Sequence, residues 1–511
     1  MNASSDVTNS KKIKIAIVGS GISGAANAYF LRQTFCDNVE LVMFEKADKI
    51  GGRLATFEFN GRLYELGGSV LHPSNNYMHE FLEKLDLEKK DKENSSKEAL
   101  GLFDGKGLLL KSSGRAFGLV DKINFIQHFG FFQLFKFKKW LRSFINDFSK
   151  IYGLQDKGFV FTNFEEFLTK INPELYKASQ KSLEATLREQ KFNDRIINQL
   201  ASIACLTNYG QSIEIDGFVG SVSLAGLVDD LWAVKTGNRS VAKKLIEKSS
   251  VELKLNTQVK GIYQDPSESD KNLIVFETED KNEIRDNSFD YVIIAFPLYK
   301  DVFQNHFKIE FEIEDLKNLE MQITNTYIIF GEQILFTKMP SNKRINLHCT
   351  DPSLPYRSIC VQLPCDYCIT KDRNLYMDSP EKLYKIFSDQ RLDEKDFDKI
   401  FKQGYQVIEK IPWKAYPKYV KNPAIKTIPR IVLDKARSRV FYSNSMEWSS
   451  SCMEISCISS RNVVNMIATK ENVKIKPFFT KSKQIINVHS ICKISSIVLI
   501  AAFLYSSYYK L

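Results

Sequence analysis

Histidine is scarce in this chain, six residues in 511. No grouping of Ser, His and Asp marks a hydrolytic triad. A metal centre is not indicated either. Cys365-Asp-Tyr-Cys368, with Cys349 and Cys360 upstream, lacks the second close C-x2-C unit and the His pair of a zinc site. The nine cysteines are an odd number, so they cannot all pair within one chain. Disulfide bonding in the 349–368 patch is expected only if the protein is secretory. Internal repeats are absent, and the one low-complexity stretch is the Lys/Glu/Ser run at 88–98, a solvated loop. Met1–Ser10 is polar and has no apolar h-region. The net charge of +10 is modest. It favours weak attraction to anionic membranes or phosphates, but the basic residues are scattered and form no nucleic-acid module. Apolar residues, by contrast, make up 43% of the chain, and charged residues 26%. That is enough for a large core spread over two or three domains.

Against this background Lys14-Ile-Ala-Ile-Val-Gly-Ser-Gly-Ile-Ser-Gly24 stands out. The apolar run Ile13–Val18 predicts a buried parallel strand. It stops at Gly19, turns through Gly21 and enters a helix at Gly24. Glycines allow the tight turn and let the backbone touch a pyrophosphate. The helix N-terminus adds N–H donors and a positive dipole end. A second strand, Val39–Phe44, ends at Glu45, 21 residues past the last glycine. An acid in that place meets the ribose hydroxyls of a dinucleotide. These features leave NAD and FAD unseparated. Gly51-Gly52-Arg53 then lets the chain double back over the cofactor, with Arg53 as a fixed cation for phosphate or ribityl oxygens. A hairpin is predicted next: Ala55–Phe59 and Arg62–Leu66 flank Asn60-Gly61. It delivers Glu65-Leu-Gly-Gly-Ser69, where two further glycines admit something flat, such as an isoalloxazine. The cofactor therefore reads as FAD.

The order of these blocks resembles that of flavin amine oxidases and their relatives. Further blocks resemble prenylcysteine oxidases specifically: Gly-Gly-Arg-Leu-Ala-Thr (51–56), Gly-Gly-Ser-Val-Leu-His-Pro (67–73), Asn208-Tyr-Gly-Gln-Ser212, Phe218-Val-Gly-Ser-Val-Ser-Leu224, Leu231-Trp-Ala-Val234, Trp413-Lys-Ala-Tyr-Pro417 and Met446-Glu447 with Ser451-Cys-Met-Glu-Ile-Ser456. They run in order over about residues 12–470. The resemblance implies FAD contacts at Gly19, Ser20, Gly21, Ile22, Ser23 and Gly24, at Glu45 and Lys46, and at Gly52, Arg53, Gly68 and Ser69. It adds Val259, whose backbone would meet the adenine, and Ala295 and Glu447. Tyr209, Gln211 and Trp232 become candidates for lining the substrate site. The implied reaction uses O2 to split the thioether of farnesyl- or geranylgeranylcysteine. It yields cysteine, a prenyl aldehyde and H2O2. Such chemistry needs no triad and no metal, because the cofactor carries the hydride step, and no catalytic side chain is singled out.

The expected architecture is α/β: a Rossmann-like FAD-binding domain with an inserted α+β substrate domain and a C-terminal hydrophobic tail. Residues 12–75, 237–298 and 438–470 would form the FAD domain. Residues 80–225, read as helical, and 300–430 would form the substrate domain, leaving 471–511 as the tail. Strands are expected at Val251–Val259, Asn272–Phe276, Tyr291–Ala295 and Val440–Tyr442. A last helix is expected from about Ser450, capped by Glu447 and Ser449–Ser451, with its positive end toward the flavin. Phe125–Phe144 carries seven phenylalanines interleaved with Lys136, Lys138, Lys139 and Arg142. It reads as a membrane-facing entry for a prenyl chain or as a core helix with a basic solvent face. The uncharged run 494–509 reads as a membrane anchor or as a tail without a membrane role. The resemblance implies a lysosomal location, which the polar N-terminus does not support. Two other functions fit the same motifs: a flavin oxidase or desaturase acting on an amine or polyprenoid, or a non-catalytic flavin-binding protein.

Overall fold

In the computed structural model, Ile13–Val18 lies at the centre of a five-stranded parallel sheet. The structure describes residues 12–90, 98–111, 119–227, 231–305, 307–311, 313–334, 344–368, 372, 379–419 and 428–479. The strand order is Val440–Tyr442, Tyr291–Ile294, Ile13–Val18, Val39–Phe44, Glu252–Lys254. Such strands are buried on both faces, hence their unbroken apolar runs. Ile15, Ile17, Leu41, Met43 and Ile293 face a layer that includes the helices Ile22–Phe35, Arg239–Ser249 and Met453–Lys470. The alternate residues Ala16, Val18, Val42, Phe44, Val292 and Ile294 face a second sheet, as the period of two requires. That sheet has four strands, ordered Glu283–Phe289, Asn272–Glu277, Gln258–Gln264, Lys308–Ile309. The single strand expected over Val251–Val259 is therefore two strands in two sheets. Asn256, at φ 48°, breaks it, because a left-handed residue turns the chain out of the first ladder.

A third sheet of seven strands faces the nucleotide-binding layer. Its order is Gln406–Pro417, Met321–Glu332, Glu381–Ser388, Ser358–Val361, Arg344–Cys349, Glu98–Phe103, Leu108–Lys111. The last two strands lie in the 80–225 stretch that was read as helical. Glu98–Phe103 runs parallel to Arg344–Cys349, a pairing between distant segments that local periodicity does not report. The remainder of that stretch, from Leu119 to Ala225, is helical as expected. Phe164–Ile171, for example, buries Phe164, Phe167, Leu168 and Ile171 on one stripe, and Asn163 caps it by accepting from the Glu166 N–H. Asn60 and Gly61 both take positive φ, 49° and 70°, which matches the twist of the short hairpin Thr56–Phe59/Arg62–Glu65.

The last helix begins at Met453, after a 3-10 turn over Ser443–Trp448, and its cap is Cys452 rather than Glu447 or a serine. A buried carboxylate, Glu454, occupies its first turn and accepts the N–H groups of Tyr77 (2.7 Å) and Met78 (3.2 Å). One side chain thus satisfies the start of the helix Asn76–Lys84 while standing on another. Burial pushes the Glu454 carboxyl up to about 7 from 4.5. The folded state then holds a proton that the unfolded chain has released, so stability falls as pH rises from about 4.5 through about 7 and is flat beyond. Comparison of urea midpoints at pH 5 and pH 8 should show this loss, on the order of 3 kcal/mol at most, in the wild type and a smaller one in E454Q.

Candidate functional site

The sheet edge above Val18 is shaped by backbone rather than by side chains. Gly19 takes φ 107°, and a Cβ there would lie 2.9 Å from the Ala295 carbonyl oxygen. Gly24 passes closer still: its Cβ would lie 1.9 Å from the Gly19 oxygen. Only glycine at both places lets Ile22–Phe35 start directly off the strand. That helix has no side-chain cap and no acid in its first turn. Its leading N–H groups and positive end therefore suit an external anion. At the end of the neighbouring strand Glu45 is fixed by Ser20, whose N–H and hydroxyl donate to Oε2 at 2.9 and 2.7 Å. Ala47 N–H donates to Oε1 at 3.0 Å. One lone pair of Oε1 stays available to a ribose hydroxyl. Uncapped helix, glycine turn and oriented acid together fit a dinucleotide.

A second glycine pair forms the facing wall. A Cβ on Gly67 would lie 1.9 Å from the Arg53 carbonyl oxygen, which accepts the Gly68 N–H at 3.0 Å. Arg53 donates to the Ala415 carbonyl at 2.7 Å and is ion-paired with Glu447. Glu447 is in turn held by Asn444 at 2.9 Å and the Ser451 hydroxyl at 3.1 Å. Beneath the pair, Lys385 Nζ donates to the Gly67 carbonyl at 3.1 Å and Asn238 Nδ2 to the Gly68 carbonyl at 3.0 Å. Asn238 N–H also donates to Glu65 at 2.6 Å. Burial pushes the Glu65 carboxyl up and the Lys385 ammonium down, and each charge opposes the other's shift.

These walls enclose a cavity of about 1460 Å³. A pocket of 300–1,000 Å³ already holds a drug-sized ligand, so there is room for a dinucleotide and a second molecule. Of the residues singled out from the sequence, Gly19–Ser23, Glu45, Lys46, Gly52, Arg53, Gly68, Ser69, Val259, Ala295 and Tyr209 line it. Gly24, Glu447, Gln211 and Trp232 do not. Gly24 is covered by its own helix start, and Glu447 stands behind Arg53. Gln211 ties two segments of chain together, donating to the Pro417 carbonyl at 2.9 Å and accepting from Tyr419 N–H at 2.8 Å. Trp232 stacks on His79 at 4.6 Å. The second region of the cavity carries Phe144, Ile145, Phe148 and Leu206 on its helical side, and Thr324, Arg357, Lys385 and Trp413 on its sheet side. Most of these sheet residues escaped sequence reading because single polar residues on isolated strands carry no spacing signal. Of the 349–368 patch, Cys349 and Cys365 are free thiols. Among the described residues no three His, Cys, Asp or Glu side chains are grouped to hold a metal.

Fold and cavity together define a Rossmann-type dinucleotide-binding protein whose cofactor cleft is closed by the seven-stranded mixed sheet. Residues 17–85 match the family of NAD(P)-binding Rossmann-like domains. Residues 114–477 match the prenylcysteine lyase family, to which the chain belongs. Prenylcysteine oxidase 1 of Bos taurus is 31% identical over 469 residues, covering 88% of this chain and 87% of that protein. Farnesylcysteine lyase of Arabidopsis thaliana is 29% identical over 485 residues, covering 89% and 88%. Among solved structures, a triple mutant of putrescine oxidase superposes with a TM-score of 0.58 at 12% identity, covering 90% of this chain and 99% of that one. A fatty acid isomerase from P. acnes gives 0.55 at 15%, with the same coverage. At such identities the likeness is one of fold alone.

The close contacts of Gly24 and Gly67 are with backbone oxygens that cannot step aside. G24A and G67A should each be purified with little bound flavin, read as visible absorbance per protein, whereas a surface substitution such as K139A should retain full content.

Proposed function

We propose that this protein is an FAD-dependent oxidase that cleaves the thioether of prenylcysteine with O2 and one water, releasing cysteine, a prenyl aldehyde and H2O2. The observation that carries the reading, beside family membership, is the continuity of the cavity from the glycine cradle into an apolar pouch of Phe144, Ile145, Phe148 and Leu206. An amine substrate would need no such pouch. Residues 12–75, 237–298 and 438–470 would be the FAD-binding part, with 80–225 and 300–430 the inserted substrate domain.

FAD, when bound, supplies the acceptor for a hydride from the allylic carbon beside sulfur and returns the electrons to O2. The chain's own contribution is placement. Ser20 holds Glu45 toward the ribose, and the uncapped start of Ile22–Phe35 meets the pyrophosphate. Glu447 keeps Arg53 aimed across the cleft. The Gly67-Gly68 turn lets a flat ring and the substrate carbon approach without an intervening side chain. Helical and sheet walls exclude bulk water, which holds the reactants at short range. Anaerobic addition of farnesylcysteine should bleach the visible flavin band, and air should restore it with one cysteine released per turnover. Bleaching by amines or carotenoid-like lipids alone would assign the protein elsewhere among flavin enzymes.

Membrane contact through 125–144 is part of the proposal. Phe132 and Phe135 are exposed by 78% and 51%, while Phe129, Phe137 and Phe144 are buried. Lys136 and Lys139 share the exposed stripe. Such a face binds anionic lipid through inserted rings and basic charge. The variant F132S/F135S/K139E should lose at least half of its sedimentation with phosphatidylserine vesicles, and unchanged sedimentation would discard the contact. The 494–509 run lies outside the described residues, and no described helix is long and apolar enough to cross a membrane.

A further inference from the structure

One stretch of the cavity wall holds polar atoms that satisfy nothing within the protein. Thr324 Oγ1, Thr326 Oγ1, Arg357 Nε, Asp389 Oδ1 and Trp413 Nε1 are all buried and make no hydrogen bond, and all five residues line the cavity. They come from adjoining strands. Thr324 stands opposite Trp413 in the ladder, and Thr326 opposite Phe387. Arg357 N–H donates to the Phe387 carbonyl at 2.7 Å, and Asp389 directly follows the strand Glu381–Ser388. Thr324, Thr326 and Arg357 are exposed by only 9%, 0% and 3%.

Leaving one buried polar atom without a partner costs about 1–3 kcal/mol. Five gathered on one wall of the cleft are the mark of a site built for a ligand's polar end. Its charges say which kind. Arg357 and Asp389 are ion-paired through Nη2 and Oδ2, and Arg357 Nη1 donates to the Leu354 carbonyl at 2.6 Å. Arg357 Nε–H, a cationic donor, and Asp389 Oδ1, an anionic acceptor, are the atoms of this ion pair that make no hydrogen bond within the protein. Several other ions on the cavity wall are engaged within the protein: Arg53 with Glu447, Lys414 with Asp301, Glu454 with two N–H groups, Lys385 with two carbonyls.

We propose that Arg357 and Asp389, with Thr324, Thr326 and Trp413 around them, bind the α-carboxylate and α-ammonium of an amino acid whose side chain is a long apolar thioether. This rests on the proposed function and deepens it. Arg357 Nε–H donates to the carboxylate and Asp389 Oδ1 accepts from the ammonium. The pair thereby selects a free zwitterion over a blocked amino acid or a residue inside a peptide. The thioether tail runs toward the Phe144–Phe148 side.

Calorimetry on the FAD-loaded protein tests this with S-dodecylcysteine, a saturated thioether with no allylic carbon to oxidise, and its uncharged N-acetyl methyl ester. The wild type should bind the zwitterion about tenfold tighter or more, as hydrogen bonds to charged groups are worth. In R357Q/D389N both charges leave together, so neither is stranded. The preference should vanish through loss of zwitterion affinity while ester affinity holds. A preference that survives in the double variant overturns the assignment. So does equal competition by the two ligands against farnesylcysteine turnover in the wild type, a measurement that needs no variant to fold. Either result leaves the thioether reading standing, since farnesylcysteine still bleaches the flavin; if farnesylcysteine does not bleach the wild type, both readings fall.

Discussion

Everything in the site depends on how closely the backbone passes itself at Gly19 and Gly24. The helix Ile22–Phe35 leaves the strand with a gap that would put a single methyl 1.9 Å from a carbonyl oxygen. That approach fixes the helix over the sheet edge. It also places Ser23 and Asn27 against the C-terminal segment: Ser23 bonds the Ser443 hydroxyl at 3.0 Å, and Asn27 bonds Ser443 and Ser460, each at 2.9 Å. The two ends of the described chain are thus joined beneath the cofactor cleft by small polar side chains that fit only because the helix sits so low. The Ser443–Trp448 turn that carries Glu447 inherits its position from these bonds. Arg53 inherits its aim from Glu447. A constraint made of glycines therefore propagates, by ordinary hydrogen bonds, to a cation on the far wall.

The same logic governs the charges. Removing one partner from a buried ion pair is costly, while the intact pair adds little net stability. Arg53 with Glu447, and Lys385 beside Glu65, are better understood as devices of position than as staples. Lys385 and Asn238 hold the two carbonyls of Gly67 and Gly68, so the glycine turn cannot relax into the cleft. Lys385 meanwhile stands on the cavity wall with its ammonium destabilised by burial. Such a group answers to any charge that forms nearby.

Features that depend on neighbours in sequence were legible before the structure was. The strand–turn–helix of Ile13–Gly24, the acid at Glu45, the Asn60-Gly61 hairpin and the stripe of Phe164–Ile171 all arise from local geometry and read out directly. Features made by distant pairing were not. Glu98–Phe103 is a strand because Arg344–Cys349 lies beside it, and nothing within six residues announces that. Gln211 and Trp232 sit in blocks that resemble a family, and their contacts too are made by distant pairing: one ties backbone segments together and the other packs on His79. Glu447 is ion-paired with Arg53, a contact across 394 residues that no local pattern announces.

The cavity is polar at its sheet wall and apolar at its helical wall because the two walls solve different problems. A β-sheet presents every second side chain to one face. A row of short polar residues such as Thr324 and Thr326 can therefore stand on the cavity side while Tyr327 and Ile329, one position out of phase, lie in the core behind. A helix presents a broad stripe, and the last turn of Phe131–Phe148 brings Phe144, Ile145 and Phe148 to the cavity. An amphiphile laid between them meets hydrogen-bonding atoms at one end and rings at the other without any loop having to reorder. The glycine turn at Gly67-Gly68 is a third part of the cavity wall, and it presents backbone rather than side chains. Substrate orientation thus follows from the secondary structure of the walls, and reactivity is left to whatever lies against the bare backbone.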